Sequence, residues 1–168
     1  MENLQPVFLG WNVKELWDYI HPIALVGWAI LCIAPRWSHT YTITLVPPLI
    51  HAVLYASILL PLILFPDPNN PAPQVDIANM DSVFRVFGIP NVFFCGWVHY
   101  LAFDLLVARG LAMDAAYTCN VSYLSYYLFV VPCLLATLYV GPVGYLLYMI
   151  LRFLVLYSPK SVPKSKQS

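Results

Sequence analysis

Four long apolar stretches and one short alternating stretch divide the chain. Leu16 to Ala34 is apolar beyond its first residues and stops at APRWSHT, where Pro35 and Arg36 mark a boundary. Tyr41 to Phe65 runs for 25 residues and carries Pro47, Pro48 and Pro61. Membrane helices tolerate such prolines where neighbouring groups satisfy the freed carbonyls, and a kink is expected near the start of this one. Ile89 to Ala108 is 20 residues, about 30 Å as helix, which matches a hydrocarbon core. Arg109 is read as its end. The last stretch, Tyr123 to Tyr157, holds 35 residues, about 52 Å of helix, more than one perpendicular crossing needs. With Pro132 and GPVG at 141–144 inside it, two readings exist: one long kinked helix, or a crossing to Tyr139 followed by a return too short to span. The single kinked helix is the preferred expectation.

Between the second and third stretches, PDPNNPAPQVD is proline-dense and polar and cannot cross a bilayer. Directly after it, Ile77, Met80, Phe84 and Phe87 recur at spacings of three and four, with Asp76, Asn79, Asp81 and Arg85 between them. This pattern predicts a short amphipathic helix at the membrane interface. The fold class is therefore all-α: a polytopic membrane protein, four transmembrane helices in a bundle with a short interfacial helix between helices 2 and 3. A single transmembrane domain is expected over 1–157 and a flexible basic tail over 158–168.

Composition agrees with this pattern. Of the residues, 61% are hydrophobic and 10% charged, too few charges to solvate an ordinary globular surface. Eight basic residues balance eight acidic ones, which gives no footprint for nucleic-acid binding. The four cysteines lack metal spacing and read as packing residues, and the four histidines show no HxxxH pattern, so no metal site is expected. No transit peptide or cleavage pattern is evident, and the first apolar stretch is expected to be retained. Four spans place Lys14, Arg85 and the tail's Lys160, Lys164 and Lys166 on one side, against Arg36 and Arg109 opposite, which predicts cytoplasmic termini.

The polar residues inside the apolar runs carry the candidate chemistry. A charged aspartate in a bilayer costs about 3 kcal/mol, so Asp104 is expected to face protein, water or a ligand. Trp97, Tyr100 and Asp104 share one helix face at spacings of three and four, lining up an indole, a phenol and a carboxyl. His99 lies about 140° around the helix from Asp104. Arg109, Asp114 and Asn120 are the nearest candidates for a polar cluster with Asp104. Arg152 belongs near the opposite membrane edge if the last stretch is one helix. His21 with Trp28, His51 with Tyr55, and Tyr145 are further candidates for a ligand-lining interior.

The block GWVHYLAFDLLVARGLAMDA, followed by VPCLLATLYVGPVGYLLYMILR, resembles the abscisic-acid-deficient, neoxanthin-synthesis family of small membrane proteins, over about residues 20–153. The resemblance implies chemistry on a xanthophyll, in which an epoxide opens and an allene forms. It carries over Trp97, His99, Asp104, Arg109 and Asp114. Where the plant form has a further arginine and histidine, this chain reads AYTCNVSYLS.

Residues and resemblance together suggest an intramembrane isomerase or cyclase that opens an epoxide on a hydrophobic isoprenoid. Asp104 would be the acid, His99 the base or orienting group, Trp97 and Tyr100 the walls that stabilise a carbocation, and Arg109 with Asp114 the supporting network. An apolar setting favours the neutral carboxylic acid, the form this role demands. An isomerisation moves protons and bonds within one substrate, so no cofactor is expected. The expected partners are a hydrophobic small molecule, membrane lipids, and an upstream epoxidase or a second copy of the chain. A non-catalytic carotenoid- or lipid-binding accessory protein is the alternative.

Overall fold

The computed structural model describes residues 7–65 and 75–156. The basic tail and most of the proline-dense loop, for which expectations were stated above, lie outside the described residues. The described elements are helical, and the only extended pairing among them is an isolated bridge between Phe8 and Trp11. The order is α1 (Val13–Ile33), α2 (Thr40–Ile43), α3 (Val46–Leu64), α4 (Met80–Phe87), α5 (Pro90–Met113), α6 (Tyr123–Ser125), α7 (Val131–Val140) and α8 (Pro142–Leu151). Wider π-helical turns occupy Asp114–Thr118, Tyr126–Val130 and Arg152–Leu156.

Four continuous helical runs are long and apolar enough to cross a membrane: Val13–Ile33, Thr40–Pro61, Pro90–Thr118 and Tyr123–Val140. Their outward faces carry large apolar side chains such as Leu25, Val53, Phe103 and Leu128, each more than half exposed. Water would not tolerate such a surface, whereas acyl chains cover it without cost. The chain is an integral, multi-pass membrane protein.

The chain divides into two compact units, one up to Arg109 and one from Gly110. In the first, α1 begins at a capping box: the Asn12 side chain accepts from the Lys14 and Glu15 amides, and Glu15 reaches back to the Asn12 amide at 2.8 Å. Val13, Leu16, Ile20 and Ala24 form a buried stripe on α1 that packs with Leu54 of α3 and Phe94, Val98 and Leu101 of α5. Gly27 allows the closest approach, since a Cβ there would meet Leu105 Cδ2 at 2.6 Å. The amphipathic helix is present as α4, capped by Asn79, with Met80, Phe84 and Phe87 exposed as an interfacial helix requires.

The third span is longer than the 20 residues read from hydropathy. It covers 29 residues, so Asp104 is the fifteenth residue of Pro90–Thr118 and stands at mid-helix rather than near an end. Arg109 does not terminate it. The guanidinium lies 3.9 Å from the Tyr41 ring centroid and donates to the Tyr41 carbonyl at 2.9 Å, so its charge is satisfied without leaving the helix.

In the second unit the expectation of one long kinked helix is corrected. Gly141 adopts φ +42° and ψ −99°, a conformation that side-chain-bearing residues rarely reach, and the chain reverses there. Helix α8 folds back on α7 so closely that a Cβ on Gly144 would lie 2.2 Å from the Thr137 amide nitrogen and 2.5 Å from the Cys133 carbonyl oxygen. Residues seven and eleven apart touch only if the two helices run antiparallel, since in one helix they would be about 10 and 16 Å apart along the axis. The last apolar stretch is thus a crossing helix and a shorter returning one, joined by a glycine-proline turn.

Candidate functional site

On α5, one turn separates Trp97 from Tyr100 and another separates Tyr100 from Asp104, so the three side chains contact in sequence. The Trp97 and Tyr100 rings are 5.5 Å apart by centroid, and the Tyr100 hydroxyl hydrogen-bonds to the Asp104 carboxyl. The other carboxyl oxygen, Oδ2, is buried and has no hydrogen-bond partner among the described residues. A buried carboxyl oxygen without a donor is costly when ionised, and such an atom calls for an explanation beyond packing.

Trp97 also belongs to an aromatic layer that α1 and α5 build together. Trp17 and Trp97 stack at 5.4 Å, and Phe93 adds a third near-parallel ring, 6.2 Å from Trp97. The Trp97 indole nitrogen donates to His21 Nε2 at 2.9 Å, and His21 Nδ1 lies 2.8 Å from the Trp17 carbonyl. An indole N–H can only donate, so Nε2 is the acceptor and the imidazole carries its proton on Nδ1. His21 therefore positions Trp97 and has no nitrogen left for a substrate.

His51 is likewise engaged. It is 1% exposed, with Nδ1 at 2.7 Å from the Pro47 carbonyl and Nε2 at 3.0 Å from the Ile20 carbonyl, tying α3 to α1. His99 differs: it is exposed, stacked on Phe103 at 4.4 Å and tilted against Tyr55 at 5.8 Å, on a face of α5 other than that of Asp104. Trp28 is buried within the first unit's packing and Tyr145 is exposed on α8.

The supporting pair proposed from sequence, Arg109 with Asp114, does not form as one network. Arg109 is engaged by Tyr41. Asp114 instead opens the first π-helical turn and accepts from three groups of its own unit: Arg152 Nε at 2.6 Å, Arg152 Nη2 at 3.3 Å and the Tyr148 hydroxyl at 2.7 Å, with the Cys119 thiol at 3.8 Å. Arg152 stands apart from this end only if the last apolar stretch is a single helix. The reversal at Gly141 brings Arg152 back to the end of the span where Asp114 sits.

The two carboxyls thus occupy contrasting settings. Asp114 is saturated by a cation and a phenol, an arrangement that holds a carboxylate ionised. Asp104 faces one phenol and no cation among its described contacts. An acid that must deliver a proton resembles the second setting, and a fixed structural anion the first.

The model of one protein family, ABA DEFICIENT 4-like, matches residues 15–148. The chain belongs to the ABA DEFICIENT 4-like family. The matched span takes in the α1 stripe, the Trp97–Tyr100–Asp104 line, Asp114, Tyr148 and the reversal at Gly141, while Arg152 lies just past the family match. No curated protein and no solved structure matches the chain.

Sequence reasoning missed Trp17 and Phe93 as parts of the aromatic layer, and Tyr148 with Arg152 as the partners of Asp114. The first two carry a detectable signal, since Trp17 is four residues before His21 and Phe93 four before Trp97, each one turn from a residue already singled out. The last two depend on the direction of α8.

Proposed function

We propose that this membrane protein binds a hydrophobic isoprenoid and opens an epoxide on it, with Asp104 as the proton donor. The observation that carries this reading is the buried Asp104 Oδ2, which has no partner within the described residues and adjoins an aromatic face. Family membership supports the substrate class.

The neutral carboxyl gives its proton to the oxirane oxygen as the more substituted C–O bond breaks, leaving a hydroxyl and a carbocation. The negative faces of Trp97 and Tyr100 stabilise that cation, and the Tyr100 hydroxyl stays bonded to the carboxylate just formed. Loss of a proton from a neighbouring carbon to the Asp104 carboxylate completes an isomer and restores the acid; where an internal double bond first attacks the cation, a ring closes and the new cation loses its proton to the same carboxylate. Atoms balance within one substrate. Asp114 takes no part in proton transfer and holds the first π-helical turn to Tyr148 and Arg152 within the second unit.

The test is purified protein in liposomes with an epoxy-xanthophyll or a terpenoid epoxide, with products followed by chromatography and mass. Conversion to an isomer of unchanged mass is expected. Asp104→Asn should lower the rate at least about a hundredfold, as loss of a general acid does, while substrate still quenches tryptophan fluorescence. Full turnover by that variant would reject the role. The accessory reading draws on the apolar groove between α1 and α3, and binding without conversion by the wild-type protein would favour it.

A further inference from the structure

The entry end of α1 carries a pair of adjoining cavities that the epoxide chemistry does not use. One, of about 420 Å³, lies between α1 and α3 and is almost wholly apolar, lined by Leu16, Ile20, Ile23, Ile50 and Leu54 among others. The second, of about 360 Å³, lies against the start of α1 and is formed by Gly10, Trp11, Glu15, Asp18 and Tyr19. Tyr19 is a wall of both.

The second cavity has the chemistry of a site for an organic cation. Trp11 and Tyr19 meet edge to face with centroids 5.0 Å apart, presenting two aromatic rings. Glu15 and Asp18 supply two carboxylates beside them, and among the described residues no lysine or arginine lines this cavity. Glu15 is held in place by its bond from the Asn12 amide. Aromatic faces beside carboxylates recognise a quaternary ammonium, which offers charge without hydrogen-bond donors. A small hydrated cation would instead require converging oxygens.

Position adds a second argument. The polar cavity sits at the first turns of a membrane span, where headgroups lie, and the apolar one continues from Tyr19 along α1 to Ile23, deeper by about 6 Å of helix. A head-binding site that shares its Tyr19 wall with an apolar groove, each a few hundred Å³, suits one amphiphile better than two separate ligands.

We propose that this paired cavity is a binding site for a phospholipid with a choline headgroup, the trimethylammonium held by Trp11, Tyr19, Glu15 and Asp18, and one acyl chain along α1 and α3. The site is independent of the epoxide reading.

The test is native mass spectrometry of the full chain released from nanodiscs holding equal amounts of phosphatidylcholine, phosphatidylethanolamine and phosphatidylglycerol. Preferential retention of phosphatidylcholine is expected, with Asp18→Asn and Trp11→Leu each lowering it about three- to tenfold relative to the other lipids. Because retention is read as a ratio among lipids on the same molecules, a general loss of fold does not mimic it. As a second readout, monomeric dodecylphosphocholine should displace the retained lipid and dodecyl sulfate should not. Retention that ignores headgroup, unchanged ratios in both variants, or equal displacement by an uncharged isoprenoid alcohol would overturn the assignment.

Discussion

Replacing Gly144 with alanine separates the helical hairpin from a single long helix by the sign of the effect. In one continuous helix the substitution would stabilise the protein by about 1 kcal/mol, the ordinary helix-propensity difference. In the hairpin the new methyl would stand 2.2 Å from the Thr137 amide nitrogen, 2.3 Å from its Oγ1 and 2.5 Å from the Cys133 carbonyl oxygen. Ordinary contact begins near 3.4 Å, so α8 must withdraw from α7 by roughly 1 Å, and backbone atoms cannot rotate aside as a side chain does. Overpacking of this kind costs about 1–3 kcal/mol or more, and the propensity gain offsets only part of it, leaving a net loss of about 2 kcal/mol. At about 2–4 °C per kcal/mol for a chain of this size, the melting temperature in detergent should fall by roughly 4–8 °C. Gly110→Ala is the matched control, because nothing lies within 4 Å of a Cβ at that helical site, and it should raise stability slightly. A Gly144→Ala protein that melts at or above the wild-type temperature would refute the antiparallel packing.

Gly141→Ala should also destabilise, by about 1–2 kcal/mol, because φ +42° with ψ −99° is strained for any residue with a Cβ; unchanged thermal unfolding would contradict the turn. Arg152→Gln removes the cation from Asp114 and should lower the melting temperature in detergent, with Asp114→Asn in the same chain recovering part of the loss; additive effects in that double-mutant comparison would count against the pair. Trp97→Phe keeps a ring in the aromatic layer but deletes the bond to His21 Nε2, and should cost about 1 kcal/mol and shift His21 ring resonances in NMR spectra; an unmoved His21 signal would count against the bond. Asp104→Leu should stabilise the fold, since it replaces a buried carboxyl oxygen with no donor, while abolishing turnover; a marked loss of stability would point to a structural role instead.

Much of this architecture was legible because a bilayer makes hydropathy decisive. The four spans, the polar loop and the amphipathic α4 each follow from a pattern that lipid or its interface enforces. Two readings failed where hydropathy is silent. A charge at Arg109 reads as a boundary in the sequence, yet the Tyr41 ring and carbonyl satisfy that charge in place and α5 continues to Met113. The direction of α8 is not legible in the sequence because a proline after a glycine marks both a kink and a reversal. What decides between them is whether the opposing helix leaves room, and Gly144 against Thr137 is a tertiary fact. The histidines show the same limit. The sequence places His21, His51 and His99 inside apolar runs, but only the folded chain reveals that the first two engage both ring nitrogens, Nδ1 with a carbonyl of their own helix and Nε2 with a neighbouring helix.

The contrast between the two aspartates follows from these corrections. With α8 drawn as the continuation of α7, Arg152 is remote, and Asp104 and Asp114 become interchangeable carboxyls in search of a counter-ion. With α8 returning, Arg152 and Tyr148 are committed to Asp114, and the acid left without a cation at mid-span is Asp104. A membrane interior penalises an anion far more than a neutral acid, so the unpaired aspartate is the one poised to carry a proton and the paired one is already spent. The same reversal that ties the end of α5 to α8 thereby singles out the carboxyl on which acid chemistry can act, and a family member that kept Asp104 but lost Arg152 would be expected to retain the proton donor while losing rigidity at the end of the third span.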